Sequence, residues 1–468
     1  MKLYKYSMLI MAFLVVSSCG KSFLELEPQQ SFGLDVSIVD FKTLNAATLG
    51  VYSNFQSENA YGWDFNVIGD LRSDNTYISS KNAGRFLVFD DYALTDQSGR
   101  PRNEWLEMYQ NIVNASNIIN KFADVELLSS EEEDGQDLLG QAHGLRALSY
   151  WNLVRLFAKP YSADGGASLG VPITNEGTTG TLVSPSRATV AEVYNQIISD
   201  LTMATSKIST TETGRFSKAA AHGLLAKVYL YQEDWSNAVT VANTAIGEAG
   251  YSLYGSGDEW LSSWGANAGS EDLFTLVNLP TDNLGVNSVG GIYDQNGYGD
   301  ILATDDLYGI YSETDARRDV MSRGDRADGE VNAVFAEGKY PRGETGQDYL
   351  KIIRLADVYL VRAEAKARMG DEAGAIADLT AVASRVDPNY AETTATGDDL
   401  IAEILTERRK ELAFEGDRIY DLTRTKSTWT KFRTFDDLTV SWDNDLVINP
   451  IPLDEMNVNP NMVQNSGY

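Results

Sequence analysis

The chain has 468 residues, of which 43% are hydrophobic, so it can bury a sizeable core in one large unit or in two to three smaller ones. Its 67 acidic residues outnumber its 38 basic residues, and the formal net charge is −29. This balance argues against nucleic acid and anionic membranes as charge-driven partners, because phosphates need clustered cations. The single cysteine excludes a disulfide within the chain.

Residues 1–18 have the order of a secretory signal. Lys2 and Lys5 precede the apolar run 8–16, which is too short to span a bilayer. Small residues and then Cys19 follow, an order that resembles a bacterial lipobox. Processing there would leave Cys19 as a lipidated first residue, and two or more acyl chains anchor a protein stably where one does not. The alternative is an ordinary signal peptide followed by an unmodified cysteine.

After a short tether at residues 20–30, the stretch up to residue 250 is predicted to be helices and loops, because apolar residues recur at helical spacing. Trp105 and Trp151 lie in two of these helices and are expected in the core. The predicted helices are about 104–122, about 137–159 with its end at Pro160, a third entered at 184–189, a fourth capped by Ser217, and a fifth after Asp234.

A weak internal repeat relates residues 226–239 to residues 363–376. Each segment predicts a helix, a tight turn with an aspartate, and a second helix with alanine near the turn. Small residues let two helices approach closely, and the pattern resembles tetratricopeptide repeats. The alternative is two unrelated amphipathic hairpins.

Residues 250–346 are rich in Gly, Asn, Asp and Ser, and helical periodicity disappears there. The pattern predicts a short strand at 273–277 and a long loop at 280–300. Loops of that length in a compact protein tend to be functional. Helical periodicity returns from Tyr349 to about Phe414.

Sequence blocks along nearly the whole chain match one known family. They are 19–25 (CGKSFLE), 146–157 (RALSYWNLVRLF), 226–230 (AKVYL), 353–365 (IRLADVYLVRAEA), 407–416 (ERRKELAFEG), 450–455 (PIPLDE), 459–460 (NP) and 464–468 (QNSGY). The chain thereby resembles the SusD/RagB family, the surface glycan-binding lipoproteins of Bacteroidetes. Ser466 stands where the family usually has proline, and Asp417 and Ile419 replace the common His and Trp.

The resemblance implies a mostly α fold, with a tetratricopeptide-like helical-hairpin scaffold of four helix pairs and an irregular, loop-rich ligand-binding region. It also implies a cell-surface position on the outer membrane and a SusC-like TonB-dependent transporter as partner. The expected division is a signal at 1–18 and the SusD-like protein at 19–468. Within the latter we expect a helical and loop part at 31–180, a scaffold at 181–250 and 349–468, and a loop-rich insertion at 251–348.

No catalytic residue, metal site or cofactor is predicted. The two histidines, His143 and His222, lie in predicted helices, and HExxH, P-loop and GxSxG motifs are missing. The abundance of acidic residues makes a carboxylate pair uninformative about glycosidase chemistry. Asp294, Asn296 and Asp300 offer oxygen ligands, but their spacing fits no calcium loop, so we interpret them as polar loop residues.

A glycan site needs flat apolar faces for sugar C–H groups and short polar side chains for hydroxyls. Two parts of the chain offer this mixture, and the resemblance places ligand contacts in both. The alternative is that Trp63 and Trp260 are core residues under loops. The predicted ligand-binding residues are Tyr61, Trp63, Asp70, Arg72, Asp74 and Asn75 in the first part, and Trp260, Tyr293, Asn296 and Tyr298 in the second.

A buried ion pair is predicted near the C-terminal end. Helical spacing puts Arg408 on an apolar face, and a buried charge needs a partner, with Glu411 and Glu415 the nearest candidates.

Three functional hypotheses follow. The first is a surface lipoprotein that captures an oligosaccharide and passes it to a SusC-like transporter. The second is a lid or scaffold subunit that binds a peptide or another nutrient. The third and weakest is a glycoside hydrolase.

Overall fold

The computed structural model describes residues 37–178, 180–181, 183–326 and 329–468. The predicted signal, Cys19 and the tether lie outside the described residues. Helices dominate the described part of the chain. They are α1 (Phe41–Phe55), α2 (Asp64–Leu71), α3 (Leu87–Asp90), α4 (Gly99–Lys121), α5 (Glu132–Phe157), α6 (Val190–Lys207), α7 (Lys218–Tyr231), α8 (Trp235–Gly247), α9 (Gly257–Ser263), α10 (Val289–Tyr293), α11 (Asp305–Gly309), α12 (Leu355–Arg368), α13 (Glu372–Ala383), α14 (Gly397–Glu411), α15 (Arg418–Arg424) and α16 (Leu453–Val458).

Short strands form three small antiparallel sheets. In the largest, the strands lie in the order β1–β3–β5–β4, while β2 pairs with β6 and β7 with β8. The strands are β1 (Thr76–Ile78), β2 (Asp272–Leu276), β3 (Ile301–Ala303), β4 (Ser322–Gly324), β5 (Ala333–Phe335), β6 (Leu350–Arg354), β7 (Thr428–Lys431) and β8 (Leu438–Ser441).

The long helices pack side by side as an array of hairpins. Helix α5 packs against α4 and α6, α7 against α6 and α8, and α12 against α8, α13 and α14. The mostly α fold with a tetratricopeptide-like scaffold is therefore confirmed. None of the helices in the described ranges combines the length and the apolar character needed to cross a membrane.

The predicted turns explain where these hairpins fold back. Ser217 accepts a hydrogen bond from the Ala220 backbone N–H at 3.0 Å and so caps α7. Asp234 and Asp371 cap α8 and α13 in the same way, each accepting from the N–H three residues later. The two related segments of the sequence therefore form the same local structure.

One predicted helix begins with a strand. Residues 350–354 pair with β2 in an antiparallel sheet, and α12 starts only at Leu355. Residues 350–361 mix apolar residues with Lys351, Arg354 and Asp357, so the pattern alone does not separate strand from helix. The predicted loop at 280–300 also contains a short 3-10 turn and helix α10.

Buried ion pairs join helices α7, α12, α14 and α15. Arg408 on α14 contacts Asp357 on α12 at 2.7 Å and Asp421 on α15 at 3.1 Å. Lys227 on α7 also contacts Asp357, at 2.9 Å. Because buried charges are costly unless paired, these contacts fix how the four helices meet. We call this set the ion-pair seam; it consists of Lys227, Asp357, Glu364, Arg408, Asp417, Asp421 and Arg424.

The prediction that Arg408 is buried and paired is confirmed, but the predicted partners, Glu411 and Glu415, are wrong. Arg408 points toward α12 and α15. Glu411 lies about 60° further around the axis of α14 and points toward β6, because each helical residue turns the chain by about 100°. There it contacts Arg354 at 2.7 Å, and Arg354 also contacts Glu415 at 2.8 Å.

Helix α2 touches the corner after α14 through two glycines. A β-carbon on Gly69 would lie 1.8 Å from the carbonyl oxygen of Gly416, and one on Gly416 would lie 1.8 Å from that of Phe65. Gly416 also has φ +77°, in the left-handed region that favours glycine. This contact fixes α2, and with it Trp63 at its N-cap, against the scaffold.

Candidate functional site

The candidate site is built around a tight turn, residues 294–299, between α10 and β3. The Tyr298 backbone N–H donates to the carbonyl of Gly291 at 2.8 Å. The Asn296 N–H donates to the side chain of Asp294, also at 2.8 Å. These bonds fold the turn so that Asn296 is exposed and Tyr298 is half-buried.

Tyr298 belongs to a cluster of three aromatic side chains. Its ring is nearly parallel to that of Trp63, with a centroid distance of 6.2 Å and an interplanar angle of 12°. Phe86 meets Trp63 edge-on at 5.7 Å. We call Trp63, Phe86 and Tyr298 the aromatic cluster; Trp63 is only 5% exposed, so Tyr298 is the member that reaches solvent most.

An arginine lies over the ring of Tyr298. The guanidinium carbon of Arg85 is 3.8 Å from the ring centroid, within the range of a cation–π contact. Arg85 is held there by Asp300, whose carboxylate accepts from its Nε at 2.5 Å. Burial raises the pKa of Asp300, although Arg85 acts in the opposite direction. The Tyr298 hydroxyl donates to the side-chain oxygen of Asn287 at 2.5 Å, which fixes the other end of the ring.

A second arginine covers the other two rings. The Arg100 guanidinium lies 4.8 Å from the centroid of Trp63 and 4.2 Å from that of Phe86. It pairs with Asp64, the residue next to Trp63, at 2.5 Å. The cluster is therefore preorganised by two cations, each neutralised by its own carboxylate.

Lys81 joins the turn to the chain that leaves β1. Its Nζ donates to the carbonyl of Gln295 at 2.7 Å and to that of Gly297 at 2.9 Å. The neighbouring backbone N–H of Ser79 donates to the carbonyl of Asp300 at 2.8 Å. These bonds hold two segments that are about two hundred residues apart in sequence.

A groove of about 590 Å³ adjoins the start of the turn. Asp294 and Asn296 line it together with polar residues from 319–322 and 337–345. Glu337 accepts from the Gln295 N–H at 2.9 Å and so fixes one wall to the turn. Exposed carboxylate, amide and hydroxyl groups at these positions can bind the hydroxyls of a ligand.

The structure separates the ten predicted ligand-binding residues into two groups. Asn296 and Tyr298 reach the surface, and Trp63 lies nearly parallel to Tyr298 but is buried. The others are buried among protein partners, and a ligand could contact them only after a rearrangement. They are Tyr61, Asp70, Arg72, Asp74, Asn75, Trp260 and Tyr293. We therefore keep Asn296 and Tyr298 as the proposed ligand contacts, with Trp63 as a buried ring that supports Tyr298.

The buried run at 70–75 holds α2 against the scaffold. Asp70 accepts from the Gly416 N–H at 2.7 Å, and Asp74 accepts twice from Arg418 at 2.8 Å. Asn75 accepts from Arg409 Nε at 2.8 Å. Arg72 donates to Asn449 at 3.1 Å, while Tyr61 bonds Asn152 from the turn before α2. The polar groups of these residues therefore form hydrogen bonds that hold distant segments of the protein together.

Trp260 and Tyr293 also lie in the core. Trp260 is fully buried, and its indole N–H donates to Glu411 at 3.0 Å. Tyr293 is fully buried as well, stacked on Tyr340 with a centroid distance of 6.2 Å. For Trp260 this arrangement favours the alternative interpretation of the sequence, in which it is a core residue under a loop.

Four side chains of the site were not predicted: Lys81, Arg85, Phe86 and Arg100. Three of them, Lys81, Arg85 and Phe86, could have been suspected from the sequence, because the segment 81–86 combines basic residues, a glycine and an aromatic residue just after β1. Arg100 carries no such signal, since its position on α4 matters only once α4 packs beside Trp63.

The oxygen-rich set at 294–300 is used within the protein. Asp294 accepts from the Asn296 N–H, and Asp300 pairs with Arg85. Within the described residues, no group of three or more His, Cys, Asp or Glu side chains is placed to hold a metal ion.

Comparisons with known protein families match an N-terminal part and a C-terminal part of the chain. Residues 330–468 match the model of the SusD family. Residues 22–230 match the model of a family described as starch-binding and associating with the outer membrane.

Individual relatives cover nearly the whole chain. A proposed sugar-binding protein of Bacteroides vulgatus is 32% identical to this chain. The superposition on its crystal structure covers 92% of this chain and 100% of that protein's chain, with a TM-score of 0.84. The crystal structure of a SusD superfamily protein of the same species is 28% identical and again covers 92% of this chain and 100% of its own chain, with a TM-score of 0.86. A SusD-like protein of Formosa agariphila is 28% identical over 480 residues, which is 91% of each chain.

Proposed function

The chain belongs to the SusD/RagB family, and from that premise we propose that it is a cell-surface lipoprotein that binds an oligosaccharide or polysaccharide. It then delivers the glycan to a SusC-like TonB-dependent transporter in the outer membrane. Cys19 is the proposed lipidation residue, and the acyl chains are its contact with the membrane. Binding is noncovalent, and the protein does not transform its ligand.

One observation carries the binding proposal: the turn at 294–299 holds the half-buried ring of Tyr298, nearly parallel to Trp63, and also forms part of the wall of a wide polar groove. Arg85 lies over the Tyr298 ring in the unbound protein, so a sugar that stacks on that face displaces it. Aromatic faces suit sugar C–H groups because they combine apolar area with a partial negative charge. Carboxylates and amides suit hydroxyl groups because they accept or donate hydrogen bonds in fixed directions. The turn at 294–299 carries both chemistries, with the ring of Tyr298 and, two residues earlier, the amide of Asn296 in the wall of the groove.

The charge of the protein narrows the ligand class. Among the described residues, the groove is lined by the carboxyl groups of Asp294, Asp319, Glu337 and Glu344 and by one cation, Arg342. Together with the net charge of −29, these groups repel anionic polymers. A neutral glycan fits this surface better than a uronic acid polymer.

Affinity gel electrophoresis tests the proposal. The mature protein is run through gels with starch, laminarin, xylan or galactomannan, and through gels with alginate or polygalacturonate. We expect retardation by at least one neutral polymer and by neither anionic one. Tyr298→Ala should weaken that retardation about tenfold, because a stacking contact of about 1 kcal/mol and its ordered hydrogen bond are lost.

Tyr390→Ala is a matched control, because Tyr390 is also a half-buried tyrosine but lies between α13 and α14. It should bind like the wild type. Absence of retardation in every neutral gel would contradict glycan binding and favour a peptide or another nutrient. Release of short sugars from a polymer by the purified protein would instead support a hydrolase.

The partner and the anchor need separate tests. Copurification of a TonB-dependent barrel with the tagged, full-length protein from membranes would support the transporter partnership. Cys19→Ala should move the protein from the membrane fraction to the soluble fraction, since the acyl chains supply the anchor.

A further inference from the structure

A second cleft, of about 410 Å³, lies along the four-stranded sheet beside β1. Tyr77 of β1 and Phe432, which follows β7, are the aromatic residues that line it. Both are half-buried, whereas the neighbours of Tyr77 in β1 are buried, so Tyr77 points out of the sheet toward the cleft. Within the described ranges no ring packs on either side chain.

The segment after β7 is fixed against β1 on both sides of Tyr77. Lys431 Nζ donates to the carbonyl of Thr76 at 3.1 Å, and the Thr434 hydroxyl donates to the carbonyl of Ile78 at 2.8 Å. Phe432 lies between these two tethers and is therefore held beside Tyr77. The two rings are preorganised, which lowers the entropy cost of binding.

Polar groups complete the cleft. Asn332 and Thr434 are exposed and line it, as do the carboxyl groups of Glu330 and Asp437. Burial raises the pKa of the Tyr77 hydroxyl to about 12, and the carboxylate of Glu330 adds to the shift. That hydroxyl therefore stays protonated and can donate a hydrogen bond.

The cleft is joined to the candidate site by a short piece of chain. Ser80 N–H donates to Glu330 Oε1 at 2.8 Å, at the edge of the cleft. The next residue, Lys81, bonds the turn that carries Tyr298. Ser80 is the third residue after Tyr77, a span on the order of 10 Å of extended chain.

We propose that the cleft of Tyr77 and Phe432 is a second contact site for the same neutral glycan chain that Tyr298 binds. This inference rests on the proposed function. The rings stack on sugar units further along the chain, and Glu330, Asn332 and Asp437 bind their hydroxyls. Short oligosaccharides fill one site, and longer ones bridge both.

The test uses gels with each neutral polymer named above and three variants on the same loop. Phe432→Ala and Phe432→Leu should both weaken retardation about 3- to 10-fold, as expected for the loss of one aromatic stacking contact. The leucine variant keeps apolar packing and so guards against a folding defect. Phe435→Ala is the matched control: its ring is 97% exposed and outside the cleft, and it should behave like the wild type.

The length of the oligosaccharide ligand supplies the second measurement. With the disaccharide and the heptasaccharide cut from the polymer that retards most, calorimetry should show that Phe432→Leu weakens only the longer ligand. Equal affinity of Phe432→Leu and wild type for the heptasaccharide, with Tyr298→Ala still impaired, overturns the second site and leaves the proposed function standing. A wild-type protein that no neutral polymer retards overturns both.

Discussion

Buried carboxyl groups behave differently in the scaffold and near the candidate site. In the ion-pair seam, burial alone would raise the pKa of Asp357, but Lys227 and Arg408 lower it to about 2. The pKa of Asp421 is also lowered, through Arg408 and Arg424. Every buried acid of the seam thus has a cation in contact.

Near the site, Asp64 and Asp300 are paired with arginines, but two other buried acids, Asp70 and Asp348, rely mainly on neutral donors. Burial raises the pKa of Asp70 to about 6, although hydrogen bonds from Asn75 and from the Gly416 N–H oppose it. Burial raises the pKa of Asp348 to about 7, with the backbone N–H of Arg342 as the opposing donor. Neutral donors compensate a buried charge less than a cation does, so Asp70 and Asp348 should respond to pH in the opposite sense to the acids of the seam.

The largest expected effect comes from breaking the seam. Arg408→Ala leaves Asp357 and Asp421 buried without that cation and should lower the free energy of unfolding by about 3–5 kcal/mol. Urea denaturation measures this change. Arg102→Ala, which removes an exposed ion pair with Asp454, should cost about 1 kcal/mol or less. Similar losses in the two variants would mean that the seam is not the stabilising centre of the scaffold.

The next effect is a pH dependence of opposite sign in the two regions. Asp70 and Asp348 bind their protons more tightly in the folded protein than in the unfolded chain, where an aspartate has a pKa of about 3.9. Their stabilising contribution is full below about pH 4 and is lost as the pH rises through 6 to 7. The contribution of Asp357 is full above about pH 4 and is lost as the pH falls toward 2.

Unfolding in urea between pH 4.5 and 7.5 checks this sign. Stability should fall with rising pH over this window, by up to a few kcal/mol. Asp348→Asn should flatten the slope, whereas Asp282→Asn, at an exposed carboxyl group, should leave it unchanged. A slope that is the same in the wild type and Asp348→Asn would contradict the assignment.

A smaller effect separates two tryptophans that the sequence treats alike. Trp260→Phe removes the hydrogen bond to Glu411 and some buried volume, so it should cost about 1–3 kcal/mol of stability and leave glycan retardation intact. Trp63→Leu removes the ring beneath Tyr298 and should weaken retardation. If Trp260→Phe also impairs binding while the protein stays folded, the core assignment of Trp260 fails.

The smallest effect concerns the repeated helix caps of the scaffold. Asp234→Ala and Asp371→Ala each remove one cap and should cost about 1 kcal/mol, with retardation unchanged. Ser236→Ala, at an exposed position in α8, is the control and should be nearly neutral. Thermal unfolding of the four proteins provides the comparison.

Local patterns predicted the scaffold well. Ser217, Asp234 and Asp371 mark helix starts because each bonds an N–H only three residues away, and such contacts are visible in a sequence window. The strand at 350–354 was missed because a short segment of mixed apolar and basic residues fits either a strand or the start of a helix until its partner, β2, is known.

The site was predicted only in part because its contacts are long-range. Tyr298 and Asn296 stood out as polar and aromatic loop residues. Arg85 and Arg100 acquire a role only through Asp300 and Asp64, partners that no local pattern reveals. The polar run at 70–75 was misleading for the same reason, since its hydrogen bonds reach α14 and α15.

The contact between Gly69 and Gly416 has a genetic consequence. Any side chain at either position would push α2 away from the corner after α14, and Trp63 lies at the first residue before that helix. The displacement would reach Tyr298 through the stacked rings. A screen for alleles that lose the proposed glycan binding should therefore recover substitutions of these two glycines, although neither belongs to the aromatic cluster.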